Sequence, residues 1–220
     1  MSWILHLETS TKVCSVALSS EGKLYCLEEI ADDQYAHGEQ LTLLIDKVAK
    51  QSGIELSQLS AVSVASGPGS YTGLRIGLST AKGLCYALGI PLVLIDSLSA
   101  LAACAFDKYP GKNYCPMIDA RRMEVYTTIF ASNREVLQPM SAVVLDEHSF
   151  AEYEPFVFFG DGAAKMQELW KDRNCIVDET LLSSAAGQVQ LAYEQFTKGE
   201  FADLAYSEPI YLKDFGGKAL

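Results

Sequence analysis

The sequence predicts an α/β protein built from two halves of similar plan. Three observations carry that reading. The chain opens with three strands in a row, so it begins as an antiparallel meander rather than a βαβ unit. An apolar run, Leu59 to Ala65, leads through a glycine-rich turn into a long helix. A second strand–glycine–helix corner follows Pro155 to Phe159.

The elements follow in order. Trp3 to Glu8 reads as a strand, entering the polar loop Thr9-Ser10-Thr11-Lys12. Val13 to Leu18 and Lys23 to Ile30 read as two more, joined by the hairpin turn Ser19-Ser20-Glu21-Gly22. Asp32, Asp33 and Gln34 lead into a helix over about 35–51, with Leu41, Leu44, Ile45 and Val48 as its apolar stripe. After the Leu59–Ala65 strand, Ser66-Gly67-Pro68-Gly69-Ser70 turns the chain, with Ser70 as N-cap. The helix then runs to about Leu88. Its apolar residues Leu74, Leu78, Ala81, Cys85 and Leu88 form one face. Gly73, Ile76, Gly77, Thr80, Leu84 and Ala87 form a second. A helix apolar nearly all round is buried nearly all round. One face covers a sheet, and the other needs a neighbouring helix or another protein.

Ile90 to Ile95 reads as a strand, and Asp96-Ser97 begin a helix to about Phe106. The first half is therefore βββαβαβα. Asp107 to Lys112, with Pro110-Gly111, marks the boundary between a subdomain at 1–107 and one at 108–220. Strands are expected at Asn113–Ile118, Met123–Phe130, Ser141–Leu145 and Pro155–Phe159. Gly160-Asp161-Gly162 then leads into a helix to Trp170. Leu181 to Lys198 reads as an amphipathic helix, and Glu208 to Leu212 as a short strand or extended segment.

Composition narrows the function classes. The chain has 220 residues, 49% hydrophobic and 20% charged, typical of a soluble globular protein. No apolar run approaches the ~20 residues of a membrane span. The N-terminus lacks a basic start and an apolar core, so no secretory signal is expected. Six cysteines without Cys-x-x-Cys pairing suggest reduced core residues and a cytoplasmic protein. The formal net charge of −11 opposes independent nucleic-acid binding. Arg121-Arg122 is the one local basic pair, so an RNA role would lean on a partner.

Candidate chemistry is sparse. Thr9 and Ser10 lie where a phosphate could be received, and Gly67 and Gly69 could bring backbone N–H groups to an anion at the helix start. Both features are equally at home in ordinary turns. Neither Gly-x-Gly-x-x-Gly nor a P-loop is present. The three histidines, His6, His37 and His148, form no metal spacing, and no Gly-x-Ser-x-Gly elbow accompanies them. Glu8, at the end of the first strand, is the carboxylate best placed for a metal–nucleotide site.

Several motifs together resemble the TsaB family. The main one runs from Ser66-Gly67-Pro68-Gly69-Ser70-Tyr71-Thr72-Gly73-Leu74-Arg75-Ile76-Gly77 through Ala81-Lys82-Gly83-Leu84. It is joined by Leu7-Glu8-Thr9-Ser10, Cys14 to Leu18, His37-Gly38-Glu39-Gln40-Leu41, Ile118-Asp119-Ala120-Arg121 with Glu124-Val125-Tyr126, and Pro209-Ile210-Tyr211-Leu212. The resemblance implies an actin/Hsp70/sugar-kinase-like fold with two related subdomains. It implies an accessory subunit in the synthesis of threonylcarbamoyladenosine at adenosine 37 of tRNAs reading codons that begin with A.

The implied partners are TsaD, the family's catalytic paralogue, and the ATPase TsaE, with tRNA reached only through the complex. A homodimer is implied when the chain is alone. The paralogue's His-x-x-x-His metal pair aligns with Ser97 and Leu101, and the family's usual Asp stands here as Glu8. No catalytic residue, no metal and no tightly bound cofactor are therefore expected, with ATP used at the level of the complex. The helices over 35–51 and 71–88 would form the partner surface through His37, Leu41, Leu44, Ile45, Val48, Leu74, Arg75, Leu78 and Cys85. A charge at Leu78 would then abolish pairing without unfolding. The competing expectation is an active nucleotide-dependent transferase or small kinase of the same fold. A peptidase has no chemistry here to support it.

Overall fold

A computed structural model describes residues 1–31 and 37–213. The expected helix entry at Asp32, Asp33, Gln34 and Tyr35 lies outside the described residues. Ten strands form two five-stranded sheets of identical connectivity. The first contains β1 (Trp3–Glu8), β2 (Val13–Ser20), β3 (Lys23–Ala31), β4 (Leu59–Ala65) and β5 (Leu92–Ile95) in the order β3-β2-β1-β4-β5. The second contains β6 (Asn113–Asp119), β7 (Glu124–Phe130), β8 (Val136–Val144), β9 (Phe156–Phe159) and β10 (Cys175–Asp178) in the order β8-β7-β6-β9-β10. In each, the first three strands pair antiparallel. The last two add in parallel to the first strand of the meander.

Central strands are buried on both faces, which is why β1, β4 and β9 read as continuous apolar runs rather than alternating ones. Helix α1 (His37–Ser52) and helix α2 (Tyr71–Leu88) lie on one face of the first sheet. Leu41, Leu44, Ile45 and Val48 of α1 and Leu78, Ala81 and Cys85 of α2 join Leu5, Leu7, Val16 and Val64 in one core. Ser70 caps α2, its side chain accepting from Gly73 N–H, and Gly89 ends it in the left-handed conformation (φ 67°). Helix α3 (Ser97–Ala103), capped by Asp96, stops before the expected Phe106 and passes into turns that link the two sheets.

The second sheet departs further from expectation. The strand beginning at Ser141 starts instead at Val136. Pro139 inside it gives no N–H, but β8 is an edge strand where that costs no ladder bond. After Gly162 there is only a 3-10 turn, Ala163–Lys165, where a helix to Trp170 was expected. Trp170 still anchors the core, its ring packed against Phe150, Phe156 and Phe158. Strand β10 is too short and too polar at its flanks to stand out in the sequence.

The expected helix over 181–198 is two pieces. A 3-10 turn, Ala185–Gln188, precedes helix α4 (Val189–Lys198). Ser184 caps the turn, and Gly187 packs onto the Ala100 carbonyl so closely that a side chain would not fit. Glu208 to Leu212 is irregular rather than a strand. Ala192 of α4 packs with Ile4, Ala61, Val93 and Ile95, so this helix, although beyond residue 108, packs on the first sheet.

Candidate functional site

The two turns singled out in the first half meet. The Thr9-Ser10 loop seats directly on the Gly67–Gly73 corner. Ser70 N–H donates to the Ser10 carbonyl at 2.6 Å. Thr9 Oγ1 donates to the Gly73 carbonyl at 2.8 Å. His37 Nε2 donates to the Thr11 carbonyl at 2.7 Å. Glu8 turns back to accept from Ser10 N–H at 2.7 Å. Thr9 and Ser10 are consequently buried.

Two glycines allow this closure. A Cβ on Gly73 would lie within 3.0 Å of the Thr9 carbonyl oxygen, and one on Gly69 equally close to the Ser10 carbonyl. Gly67 (φ 108°) serves a different neighbour. The Ile210 backbone crosses it, and Ile210 N–H donates to the Ser66 carbonyl at 2.7 Å. The Pro209–Leu212 motif is therefore a strap over the glycine turn. Nothing in its composition says so, because the contact spans about two thirds of the sequence.

The expected anion cradle is thus closed by the protein itself. The Ser70 and Gly73 amides, which begin α2, donate to Ser10 and to the Ser70 side chain. The Ser10 carbonyl thus takes the Ser70 N–H that an anion at this helix start would otherwise contact. Glu8 is fully buried, and burial raises its pKa against the lowering effect of the Ser10 hydrogen bonds. Among the described residues, Glu8 Oε2, Ser10 Oγ and the Ser97 hydroxyl have no hydrogen-bond partner. A metal pair at Ser97 and Leu101 does not fit. Leu101 offers no donor atom and points into an apolar cluster with Leu98 and Phe159. Among the described residues, no group of three His, Cys, Asp or Glu side chains is arranged to hold a metal.

Behind the closed loop lies a buried polar chain. His6 Nδ1 and Nε2 bond the hydroxyls of Ser63 (2.6 Å) and Ser19 (2.7 Å). Ser63 donates to Gln188 Oε1 at 2.8 Å, and Gln188 Nε2 donates to the Leu7 carbonyl at 2.8 Å. Burial lowers the His6 pKa to about 3, so the ring stays neutral. The sequence placed His6 in a strand but gave no sign of these partners. Joining β1, β2, β4 and the 185–188 turn, they serve architecture.

The expected interface residues need correction. His37, Leu41, Leu44, Ile45, Val48, Leu74, Leu78 and Cys85 are all buried within the chain's own fold. They hold α1 and α2 to the sheet and to each other, so none is available to a partner. A charge at Leu78 would therefore unfold the chain. Of the nine, Arg75 alone is exposed. Its guanidinium lies 4.1 Å from the Tyr71 ring, and its Nε donates to Tyr211 Oη at 3.0 Å. The outward side of the helical layer carries Leu43, 61% exposed, and Tyr86, 84% exposed. Beside them is a shallow groove of about 420 Å³ lined by Tyr71, Thr72, Arg75, Ile76, Ser79 and Thr80.

A three-strand antiparallel meander extended by two parallel strands, present twice, with a helical layer on the first copy, defines the actin/Hsp70/sugar-kinase-like fold. The family model described as TsaD, tRNA N6-adenosine threonylcarbamoyltransferase, matches residues 29–216. The tRNA threonylcarbamoyladenosine biosynthesis protein TsaB of Haemophilus influenzae is 30% identical, the alignment covering 96% of this chain and 93% of that one. Its Escherichia coli counterpart is 26% identical over 96% of this chain and 94% of that one. The solved structure of YeaZ from Pseudomonas aeruginosa superposes with a TM-score of 0.80 at 29% identity, covering 96% of this chain and all of that one. The chain belongs to the TsaB family.

Proposed function

We propose that this chain works in threonylcarbamoyladenosine synthesis on tRNA, as a partner subunit without chemistry of its own. The names of its relatives point to that pathway. The observation that carries the partner role is the closed Thr9-Ser10 loop. A carbonyl occupies the amides that would hold a phosphate, and the position of the paralogue's second metal ligand is an apolar Leu101. Phosphoryl chemistry needs donors aimed at the phosphate, and here they are spent within the fold.

The partner in this reading is a TsaD homologue, with a second copy of the chain taking its place when it is absent. The TsaE ATPase acts on the assembled pair, and ATP is used at that level. The contact surface is the outer side of α1 and α2: Leu43, Tyr71, Arg75 and Tyr86 around the shallow groove. Large, rigid aromatic side chains beside an arginine suit an interface centre. Leu43 and Tyr86 stand largely exposed, and burial of their apolar area would drive association, less the cost of ordering two bodies.

The test is the mass of the chain in solution, alone and mixed with a TsaD homologue, measured by analytical ultracentrifugation. The expected result is a dimer alone that exchanges for a heterodimer. The Leu43→Asp/Tyr86→Asp variant should stay monomeric in both, with its thermal stability changed by no more than about 0.5 kcal/mol, as for exposed positions. A variant that pairs as well as the wild type would place the interface elsewhere. A wild-type chain that ignores the TsaD homologue would overturn the partner reading.

A further inference from the structure

The turn between β6 and β7 carries Arg121 and Arg122 in succession, both with left-handed backbone (φ 71° and 52°) and both exposed. Side chains with a Cβ resist that conformation by about 1–2 kcal/mol each, and hairpin tips of this kind favour Asn-Gly. The fold supplies the support. Asp119 Oδ1 accepts from Arg121 N–H at 2.7 Å. Lys165 is ion-paired with Asp119, and Lys213 with Glu124. Asp161 accepts from Asp119 N–H at 2.9 Å.

The corner's carboxylates are thus already engaged. The guanidinium groups are not. Arg75 is held by Tyr71 and Tyr211, Arg134 by Asp107 and Arg173 by Glu154. Among the described residues, neither Arg121 nor Arg122 is ion-paired with a carboxylate or stacked on a ring, though the Arg121 charge acts on the Tyr126 phenol. With Lys165 and Lys213, four cations among the described residues face the three carboxylates Asp119, Glu124 and Asp161. This is a local positive surplus on a chain of net charge −11.

We propose that the Arg121-Arg122 tip is the chain's contact with RNA, a clamp for the phosphodiester backbone of a tRNA bound to the assembled complex. The inference rests on the pathway named above. A guanidinium fork matches a phosphate bidentately, and a backbone contact needs no base pocket. The open tip offers the fork without an enclosure, which favours a strand's backbone over a free nucleotide. The acidic remainder of the surface repels RNA, so the clamp works only where a partner contributes the rest of the binding surface.

The test is tRNA affinity of the reconstituted complex with the TsaD homologue, measured by fluorescence anisotropy across a salt series. Arg121→Ala/Arg122→Ala should weaken binding about tenfold and make the salt dependence shallower by about one to two in log–log slope. Arg121→Asn/Arg122→Gly suits the turn better and should raise thermal stability while weakening RNA binding equally. That combination separates a ligand role from a structural one. Unchanged affinity and slope in both variants, with the complex intact, would overturn the clamp and leave the partner reading standing. Should the wild-type chain not assemble, the partner reading fails and the clamp, which needs that partner, fails with it. In the assembled complex, crosslinking of tRNA from a photoreactive residue at Met123 supports the clamp, and no crosslink with the complex intact and tRNA bound overturns it.

Discussion

The two sheets share one connectivity but use their corners differently. In the first, the carboxylate ending the central strand is Glu8, fully buried, accepting from Ser10 N–H two residues on. In the second it is Asp119, exposed, accepting from Arg121 N–H two residues on and ion-paired with Lys165. The same turn chemistry closes one loop onto a helix and leaves the other as a charged tip. The difference follows from what comes after the next strand. The first half continues into an 18-residue helix that the loop can cap, and the second into a three-residue turn. The two sheets share a frame, and the buried corner is the one that faces the long helix.

The largest expected effects test that closure. Leu78→Asp puts an unpaired charge into the first core and should abolish folding, read by circular dichroism. Gly73→Ala forces the Thr9 loop off α2 and should cost at least about 3 kcal/mol in urea unfolding, as for other severe overpacking. In the second lobe, Gly162→Ala meets the Val125 Cγ1 first and the Ile118 and Met117 backbone less closely than Gly73→Ala meets the Thr9 carbonyl, and should cost less. Equal losses would erase the distinction between a sealed and an open corner.

Two buried carboxylates sharpen it through pH. Asp178 in the second sheet is buried, which alone would raise its pKa. Hydrogen bonds from Lys108, Thr180 and Tyr109 outweigh that and hold it well below the usual carboxylate range. Its contribution is present above the unfolded-state value near 4 and is lost as pH falls toward the folded one. Asp178→Asn should therefore destabilise by about 1–3 kcal/mol at pH 7 and little in acid. Glu8 has the opposite sign. Its raised pKa makes ionisation a penalty that grows as pH climbs past 4.5 toward the folded value. Glu8→Gln should gain stability relative to wild type over that rise, and a loss would mean that the carboxylate is held by an attraction not described here. The smallest effect is a control. Gly83, with open space around it on α2, should tolerate alanine with a gain of about 0.5–1 kcal/mol in thermal unfolding.

Much of the first lobe was legible because its elements are long and strongly patterned. The bounds of β4 and α2 and the Ser70 cap followed from an apolar run, a glycine turn and helical periodicity. The second lobe was harder. Edge strand β8 carries Pro139, β10 is four residues long, and a turn replaces the expected helix. For the candidate site, the sequence singled out the Thr9-Ser10 loop and the Gly67–Gly69 turn and could not tell that they pack against each other. Burial, too, was misassigned. Leu41, Leu44 and Leu78 read as an apolar face, but periodicity marks a face without saying whether a sheet or a partner covers it. The proposed partner surface is instead at Leu43 and Tyr86, apolar residues exposed on the outer side of each helix.

The closed loop is the centre of the account, and an ATP–Mg²⁺ titration of the isolated chain by calorimetry tests it most directly. The expected result is no saturable binding up to millimolar nucleotide, with the chain folded and able to pair with a TsaD homologue. Micromolar binding that disappears in a Ser10→Ala or Thr9→Ala variant would mean that the loop opens to take phosphate. The competing reading, an active nucleotide-dependent enzyme, would then replace the partner role.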